Sequence, residues 1–391
     1  MKKSFLLFVF ILSAAIVFAQ KGKVTTAKSL KDTGKLDKAL EAIKETVDLN
    51  NEKSESSINW PTTYETLGEI YQAIFQAKDP VMKKLDNDPL TKALEAYKKA
   101  LELDDKHRID NSIKIKFTLL IQDLQNQAVE AFNKEDYKLA LKSFELVLEI
   151  QENPIIKKDS PNAIDTVIIF NAGLAAYNAE LYDTAIKYYT DAAKYNYNGG
   201  RTLQLLSQAY QLKKDTLGAL TVLQEGIKKY PEDNGILVNL INIYLFSNKV
   251  DEAMRYLDMA LVTDPKNASF HFAKGTLYDK IFDEANAVKS YESAIQIQPD
   301  FFDAHYNLGA LYYNKGVKQI EIANAVPSNE NARYEAELKK ADVWFEKSLP
   351  LMEKCNQIKP DDPFALESLK NLYYRLKMIE KYNAVLEKLK K

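Results

Sequence analysis

Aromatic, small and turn-forming residues recur along the chain with a period of about 34 residues. Three residue classes share this period, and each class keeps its own place within it. The matching positions are Tyr210, Tyr244, Tyr278 and Tyr312; Ala185, Ala219, Ala253 and Ala287; and Pro231, Pro265 and Pro299. A fixed period of this length is typical of a repeat array, in which each repeat is one supersecondary unit stacked on the next.

One period, residues 268–301, explains the spacing. Ala287, Tyr291 and Ala294 follow one another at i, i+4 and i+7, which predicts one buried face of an α-helix. Pro299 ends that helix, because proline has no N–H and clashes with the preceding turn. A second helix fits ahead of Ala287, so each period predicts a hairpin of two helices.

Small residues mark the places where the two helices of a hairpin are expected to cross. Gly275 in the first helix and Ala287 in the second allow the backbones to approach, while Tyr278 and Tyr291 fill the wider spaces beside them. The same role is predicted for Gly68, Gly173 and Gly309.

At these positions the chain resembles the tetratricopeptide repeat (TPR) family, whose pattern is W-x-x-L-G-x-x-Y, then A-x-x-x-F-x-x-A, then P. Residues 61–76 match its first half through Tyr64, Leu67, Gly68 and Tyr71, and residues 302–314 match it through His305, Leu308, Gly309 and Tyr312. The resemblance implies an all-α, right-handed solenoid of about nine helix-turn-helix repeats. We place the repeats within 20–391, at 20–53, 61–107, 121–154, 166–199, 200–233, 234–267, 268–301, 302–362 and 363–391.

Insertions and linkers interrupt this register. Thirteen extra residues separate Tyr71 from Ala93, and about 27 separate Tyr312 from Ser348. The second insertion keeps a helical pattern, which predicts an extended helical hairpin near 317–347 that protrudes by roughly 20 Å. Residues 108–120 and 155–165 are predicted to be linkers.

The first twenty residues have the three parts of a secretory signal. Lys2 and Lys3 precede an apolar run from Phe5 to Phe18, and small residues allow cleavage between Ala19 and Gln20. We therefore expect a signal peptide at 1–19 and an exported protein, most simply periplasmic. The alternatives are the cell surface, or an N-terminal membrane anchor if the signal is not cleaved. Nothing later in the sequence is long and apolar enough to predict a membrane span.

Composition narrows the classes of function. A net charge of −2 gives no electrostatic reason to expect a nucleic-acid partner. The single cysteine, Cys355, has no cysteine partner for an internal disulfide or a metal cluster. The Lys, Asn, Ile and Tyr bias and the Ala-Gln cleavage site resemble exported TPR proteins of Bacteroidetes-type bacteria, which implies an envelope assembly or secretion role.

Catalytic motifs are absent from the sequence, so we expect neither an enzyme nor a cofactor. His271 and His305 lie one period apart, and a metal or proton-relay pair is one interpretation. The favoured interpretation is that each replaces the aromatic residue that opens the repeat and packs within it. Cys355 falls where the repeat places a small, buried helix-contact residue.

The resemblance also predicts a binding surface. The first helices of stacked repeats line a concave groove, and positions separated by four and seven residues on each helix face into it. The predicted peptide-binding residues are Phe170, Tyr177, Gln204, Gln208, Gln211, Asn242, Leu245, Phe272, Thr276, Tyr306 and Tyr313. Leu174, Val238, Asp279 and Ala310 share their register. Aromatic and amide side chains suit a polypeptide partner. The alternative is that this stripe completes the packing between repeats.

We therefore predict a non-enzymatic protein–protein interaction module or scaffold that holds a polypeptide in this groove, with the inserted hairpin as a second contact. Two rival functions stay open. One is a structural scaffold formed from several copies of the chain. The other is a solenoid that binds a small molecule or lipid.

Overall fold

The computed structural model describes residues 20–51, 54–159 and 161–390, and the predicted signal peptide at 1–19 lies outside them. Helices make up the regular structure of this part of the chain, which contains no strand. The predicted all-α class is confirmed. The chain divides into two compact units, the first ending at Asp215 and the second beginning at Thr216, and each is described by itself.

The first unit is a succession of helical hairpins, in which each hairpin packs on the next along the chain. Its first described helix is α1 (20–32). The later helices are α2 (Leu36–Lys44), α3 (Glu55–Ile58), α4 (Pro61–Gln76), α5 (Pro80–Lys83), α6 (Pro89–Glu102), α7 (Asp110–Asn133), α8 (Tyr137–Gln151), α9 (Pro154–Lys157), α10 (Thr166–Asn178), α11 (Tyr182–Lys194) and α12 (Gly200–Leu212).

The second unit continues the same architecture, with four hairpins following its first helix. Its helices are α13 (Thr216–Lys229), α14 (Asn234–Phe246), α15 (Val250–Thr263), α16 (Ala268–Lys280), α17 (Glu284–Ile297), α18 (Phe302–Asn324), α19 (Asn331–Ile358), α20 (Pro363–Arg375) and α21 (Ile379–Leu389). The hairpin of α18 and α19 contains the longest helices of the unit, with 23 and 28 residues. The extended hairpin insertion predicted near 317–347 is therefore present.

Capping residues explain where many of the helices begin. The carboxylate of Asp233 accepts a hydrogen bond from the amide of Ile236, at 3.0 Å, and the side chain of Asn267, one period later, accepts one from the amide of Phe270 at 3.2 Å. Such N-caps satisfy amides that have no partner within the helix. The helix starts therefore recur with the period of the sequence.

One predicted linker is wrong. Residues 108–120 are mostly helical, because α7 begins at Asp110 and runs without a break to Asn133. Ile113, Phe117 and Leu120 lie one turn apart and are all buried. Their burial stabilises the first three turns of the helix against its neighbours.

Candidate functional site

In the first unit, the predicted groove aromatics lie over a buried tyrosine. Phe170 and Tyr177, both half-buried on α10, have ring centroids 5.8 and 6.5 Å from that of Tyr189. Tyr189 on α11 is fully buried. Much of the surface of these two aromatics is therefore used in packing within their own hairpin.

The three predicted glutamines lie on α12. Gln204 and Gln208 are half-buried, whereas Gln211 is exposed and donates a hydrogen bond to Ser207 Oγ at 3.3 Å. Amide groups of this kind can exchange an intramolecular hydrogen bond for one to a partner at little net cost.

The second unit repeats this arrangement of predicted residues. Asn242 on α14 is exposed, and Leu245 is half-buried. Phe272 on α16 packs between Tyr291 and Phe301, with centroids 5.9 and 5.1 Å away. Thr276 donates to its own helix, from Oγ1 to the carbonyl of Ala273 at 2.7 Å.

Two further predicted aromatics lie on α18. Tyr306 stacks on Phe302 with centroids 6.1 Å apart, and Tyr313 meets Phe345 edge to face at 5.3 Å. All of the predicted aromatics are thus half-buried packing residues. Their contact with a ligand stays a prediction.

The first unit contains a pocket between the first helices of two adjacent hairpins, which we call the α7–α10 pocket. Its volume is about 160 Å³. The lining is mostly apolar, with two amides, and consists of Val129, Phe132, Asn133, Phe144, Asn171 and Leu174. Leu174 shares the register of the predicted groove residues. The other five were missed, because the break in register between α8 and α10 hid the position of α7.

The α7 helix also presents an apolar face to solvent. Ile115, Leu119 and Val129 are exposed and fall within one arc of the helix, together with the exposed Gln122 and Asn126. Val129 belongs both to this face and to the α7–α10 pocket. An exposed apolar strip that leads into a pocket is typical of an interaction surface.

A buried ionic cluster links three helices of the first unit. Glu69 on α4 lies between Lys31 and Lys116, with a carboxylate oxygen 2.5 Å from each ammonium nitrogen. Desolvation of Glu69 on its own would raise its pKa, but hydrogen bonds from Lys116 and Lys31 outweigh this, so the pKa is lowered. Asp32, 3.0 Å from Lys31, completes a cluster of two carboxylates and two lysines that fixes α4 against its neighbours.

A hydrogen-bond chain continues along α4. Tyr97 donates to Gln72 Oε1 at 3.0 Å, and Gln72 in turn donates to Asp123 Oδ2 at 2.6 Å. Gln76 donates to the same oxygen at 2.8 Å. Sequence analysis missed these residues, because their partners lie far away along the chain and only the stacking of hairpins brings them together.

The two periodic histidines make equivalent contacts. His271 Nε2 lies 3.0 Å from the carbonyl oxygen of Pro265, and His305 Nε2 lies 2.9 Å from that of Pro299. Since a carbonyl oxygen only accepts, Nε2 is the protonated nitrogen in both rings. Each histidine therefore contacts the proline that ends the preceding repeat, and packing within its own repeat stays a prediction.

Neither histidine belongs to a metal site of the described residues, which contain no group of three or more His, Cys, Asp or Glu placed to hold a metal ion.

Cys355 is fully buried, as predicted for a small helix-contact residue. Burial raises the pKa of its thiol to about 12, and Asp362 and Asp303 add to this rise. Within the described ranges, no helix is both long and apolar enough to cross a bilayer.

Comparison with protein families identifies the repeat. Residues 285–316, from α17 into α18, match the model of a TPR repeat. The match includes Ala287, Tyr291 and Pro299, three of the residues on which the sequence resemblance rests. It confirms a tetratricopeptide repeat in this segment, and hairpins with the same pattern occur along both units.

Solved structures similar to the chain include the following three. MamA shares 22% identity, with 47% of this chain and 94% of that chain covered at a TM-score of 0.35. YrrB, a TPR protein with an unusual peptide-binding site, shares 20% identity, with 49% and 96% covered at a TM-score of 0.38. A TPR repeats protein from Bacteroides fragilis shares 22% identity, with 65% and 98% covered at a TM-score of 0.31. No curated protein matches the chain.

Proposed function

We propose that the protein is an exported interaction module that binds an extended polypeptide segment on the surface formed by α7 and α10. The observation that carries this proposal is the α7–α10 pocket, in which we place one apolar side chain of the partner. A cavity of about 150 Å³ is large enough for a benzene ring, and this pocket has a volume of about 160 Å³. A leucine, methionine or phenylalanine side chain therefore fits it.

The chemistry of the pocket favours a polypeptide over a lipid. Asn133 and Asn171 contribute amides to an otherwise apolar lining, and each amide can donate to a carbonyl and accept from an N–H of a peptide backbone. A fatty acyl chain would make no hydrogen bonds to these amides and would desolvate the half-buried Asn171, which costs free energy. The exposed face of α7 extends the contact beyond the pocket, with Ile115 and Leu119 available to neighbouring partner residues.

The predicted groove residues of the second unit would add a second contact in the same mode. Asn242 is the exposed amide of that set, and Phe272 and Tyr306 offer half-buried rings. The inserted hairpin of α18 and α19 is a further contact. The proposed cellular place is the periplasm, in an envelope assembly or secretion complex, and it rests on the signal sequence at 1–19 alone.

Site-specific photocrosslinking in the native host tests the binding proposal. A photoreactive phenylalanine analogue at Leu119 of the full chain should crosslink to a discrete partner, and peptide mapping should place an apolar partner residue near the α7–α10 pocket. Val129→Arg should abolish the crosslink, because the charged side chain enters the pocket. Val262→Arg is the matched control, since Val262 is also an exposed helical valine but lies on α15.

Three outcomes of this experiment can be told apart. Loss of the crosslink with Val129→Arg alone supports the proposed site. An unchanged crosslink in both variants overturns it, and a crosslink to a second copy of this chain favours the homo-oligomeric scaffold.

Export is tested separately by the mass of the mature protein. The chain recovered from a periplasmic fraction should begin at Gln20. Recovery in the cytoplasm with an intact N-terminus would contradict export.

A further inference from the structure

The inserted hairpin forms a corner with the hairpin before it in the second unit. The α16 helix ends at Lys280, whereas α18, one period later, runs on past the equivalent residue Asn314 to Asn324. The turn after α16 therefore lies against the side of a helix that continues beyond it. A cavity of about 350 Å³ occupies this corner, with Leu311 and Val317 in its wall. We call it the α16–α18 corner.

Phe282, in the turn after α16, also lines this cavity, and its backbone is left-handed. Its φ is +61°, in the left-handed region. The equivalent residues one, two and three periods earlier, Asn248, Lys214 and Glu180, share this conformation but have no aromatic ring. The repeats thus share the backbone of this turn, and the aromatic ring is what sets Phe282 apart. A bulky residue at positive φ is strained.

The ring of Phe282 gains little from packing that would offset this strain. The residue is 82% exposed, although it lies at the edge of an apolar cavity wall. An exposed aromatic ring beside a cavity is available to stack on a planar or cationic group of a ligand.

The two carboxylates of the corner, Glu284 and Asp279, differ in their ion pairs. Glu284 forms ion pairs with Lys315, at 2.9 Å, and with Lys318, at 3.4 Å. Asp279 lines the same cavity, and it takes part in none of the ion pairs or side-chain hydrogen bonds formed within the described ranges. Desolvation raises the pKa of Asp279 and the nearby Glu284 raises it further, while Lys318 lowers it without cancelling these two effects. A cation placed beside Asp279 would relieve both effects.

We propose that the α16–α18 corner binds an arginine side chain of a partner polypeptide, with the guanidinium stacked on the Phe282 ring and paired with the Asp279 carboxylate. Arginine fits better than lysine, because its planar group stacks on a ring while its N–H groups pair with a carboxylate. The aliphatic part of the arginine would lie along Leu311 and Val317. This site is independent of the α7–α10 pocket, so either can fail alone.

Methyl NMR of the full chain tests the proposal directly. The methyl signals of Leu311 and Val317, which line the corner, report on binding, and the probe is N-acetyl-arginine methylamide. We expect saturable shifts of these signals, and about tenfold weaker binding to Asp279→Asn, which is about 1.4 kcal/mol. N-acetyl-leucine methylamide and N-acetyl-glutamate methylamide should give no saturable shift. Equal binding of the leucine probe would overturn the proposal and indicate a merely apolar pocket.

The variant Phe282→Asn tests whether a loss of arginine-probe binding occurs without a loss of folding stability. Asparagine tolerates the left-handed conformation, so this variant should melt at a higher temperature than the wild type while losing arginine-probe binding. The matched control is Phe246→Asn, because Phe246 is 92% exposed in the same unit but lies outside the corner. The control should bind as the wild type does. Unchanged binding in Phe282→Asn, or wild-type affinity in Asp279→Asn, would overturn the proposal.

Discussion

The ring of Tyr291 occupies the space that a side chain on Gly275 would need. A Cβ atom added to Gly275 would lie 2.6 Å from Cδ1 of Tyr291. Tyr291 is fully buried between α16 and its neighbours, so the ring has no free space to move into. Gly68 with Tyr97 and Gly173 with Tyr189 form the same pair in the first unit. The glycine of each pair is therefore required for helix packing.

Gly275→Ala should destabilise the protein by about 1–3 kcal/mol, because the added methyl overpacks a closed interface. Urea denaturation followed by circular dichroism measures this loss. Gly22→Ala is the control: nothing lies within 4 Å of a Cβ at that helical position, so the change should be neutral or stabilising by up to about 1 kcal/mol. A neutral Gly275→Ala would contradict the packing argument.

A compensating change should rescue part of this loss. Ile241 and Leu257 occupy the positions equivalent to Gly275 and Tyr291 one repeat earlier, so a larger first residue is paired there with a smaller second one. Adding Tyr291→Leu to Gly275→Ala should therefore cost less than the sum of the two single changes, by about 0.5–3 kcal/mol. Additive losses would show that the two residues are not coupled.

Glu69→Gln should cost about 1.5–3 kcal/mol at pH 7, because Lys116 loses this carboxylate partner and Lys31 keeps only its pair with Asp32. Since the pKa of Glu69 is lowered in the folded state, its contribution is present above the unfolded pKa of about 4.3 and is lost as pH falls through the lower folded value. The variant should therefore lose less stability than the wild type between pH 4.5 and 3. The control Glu45→Gln breaks the exposed pair with Lys23 and should cost under about 1 kcal/mol.

Removal of the hydroxyl should have different effects on the stability of the protein at two equivalent tyrosines, Tyr97 and Tyr189. Tyr97 donates to Gln72, so Tyr97→Phe should cost about 0.5–1.5 kcal/mol. The buried hydroxyl of Tyr189 has no hydrogen-bond partner in the described part of the chain, so Tyr189→Phe should be neutral or stabilising. Thermal melting of both variants measures the difference. A clear loss in Tyr189→Phe would reveal a partner for that hydroxyl.

The Cys355 thiol should be unreactive in the folded protein. It is fully buried, and burial raises its pKa to about 12, so almost no thiolate forms at pH 8. Modification with a chromogenic disulfide reagent should be at least about hundredfold slower in buffer than in denaturing urea. Fast modification of the folded chain would place the thiol at the surface.

The regular repeats were predictable because their residues act locally. Ala287, Tyr291 and Ala294 line one helix face, and Pro299 ends the helix, so one period of the sequence contains a whole hairpin. The start of α7 was not predicted, because residues 110–120 lie outside the repeat motif although their apolar residues have helical spacing. Ile113, Phe117 and Leu120 already carry that spacing in the sequence.

The sequence by itself determined the all-α class, the helical hairpins, the glycines at helix crossings and the extended insertion, because each depends on residues within one or two turns or one repeat. Only the tertiary structure decided which side chains line the α7–α10 pocket, which lysines neutralise Glu69, and that the overhang of α18 opens a corner beside Phe282. These features join residues from separate hairpins, and their distances depend on how the hairpins stack. Scaffold positions repeat along the chain, whereas each candidate site arises where the repetition is broken.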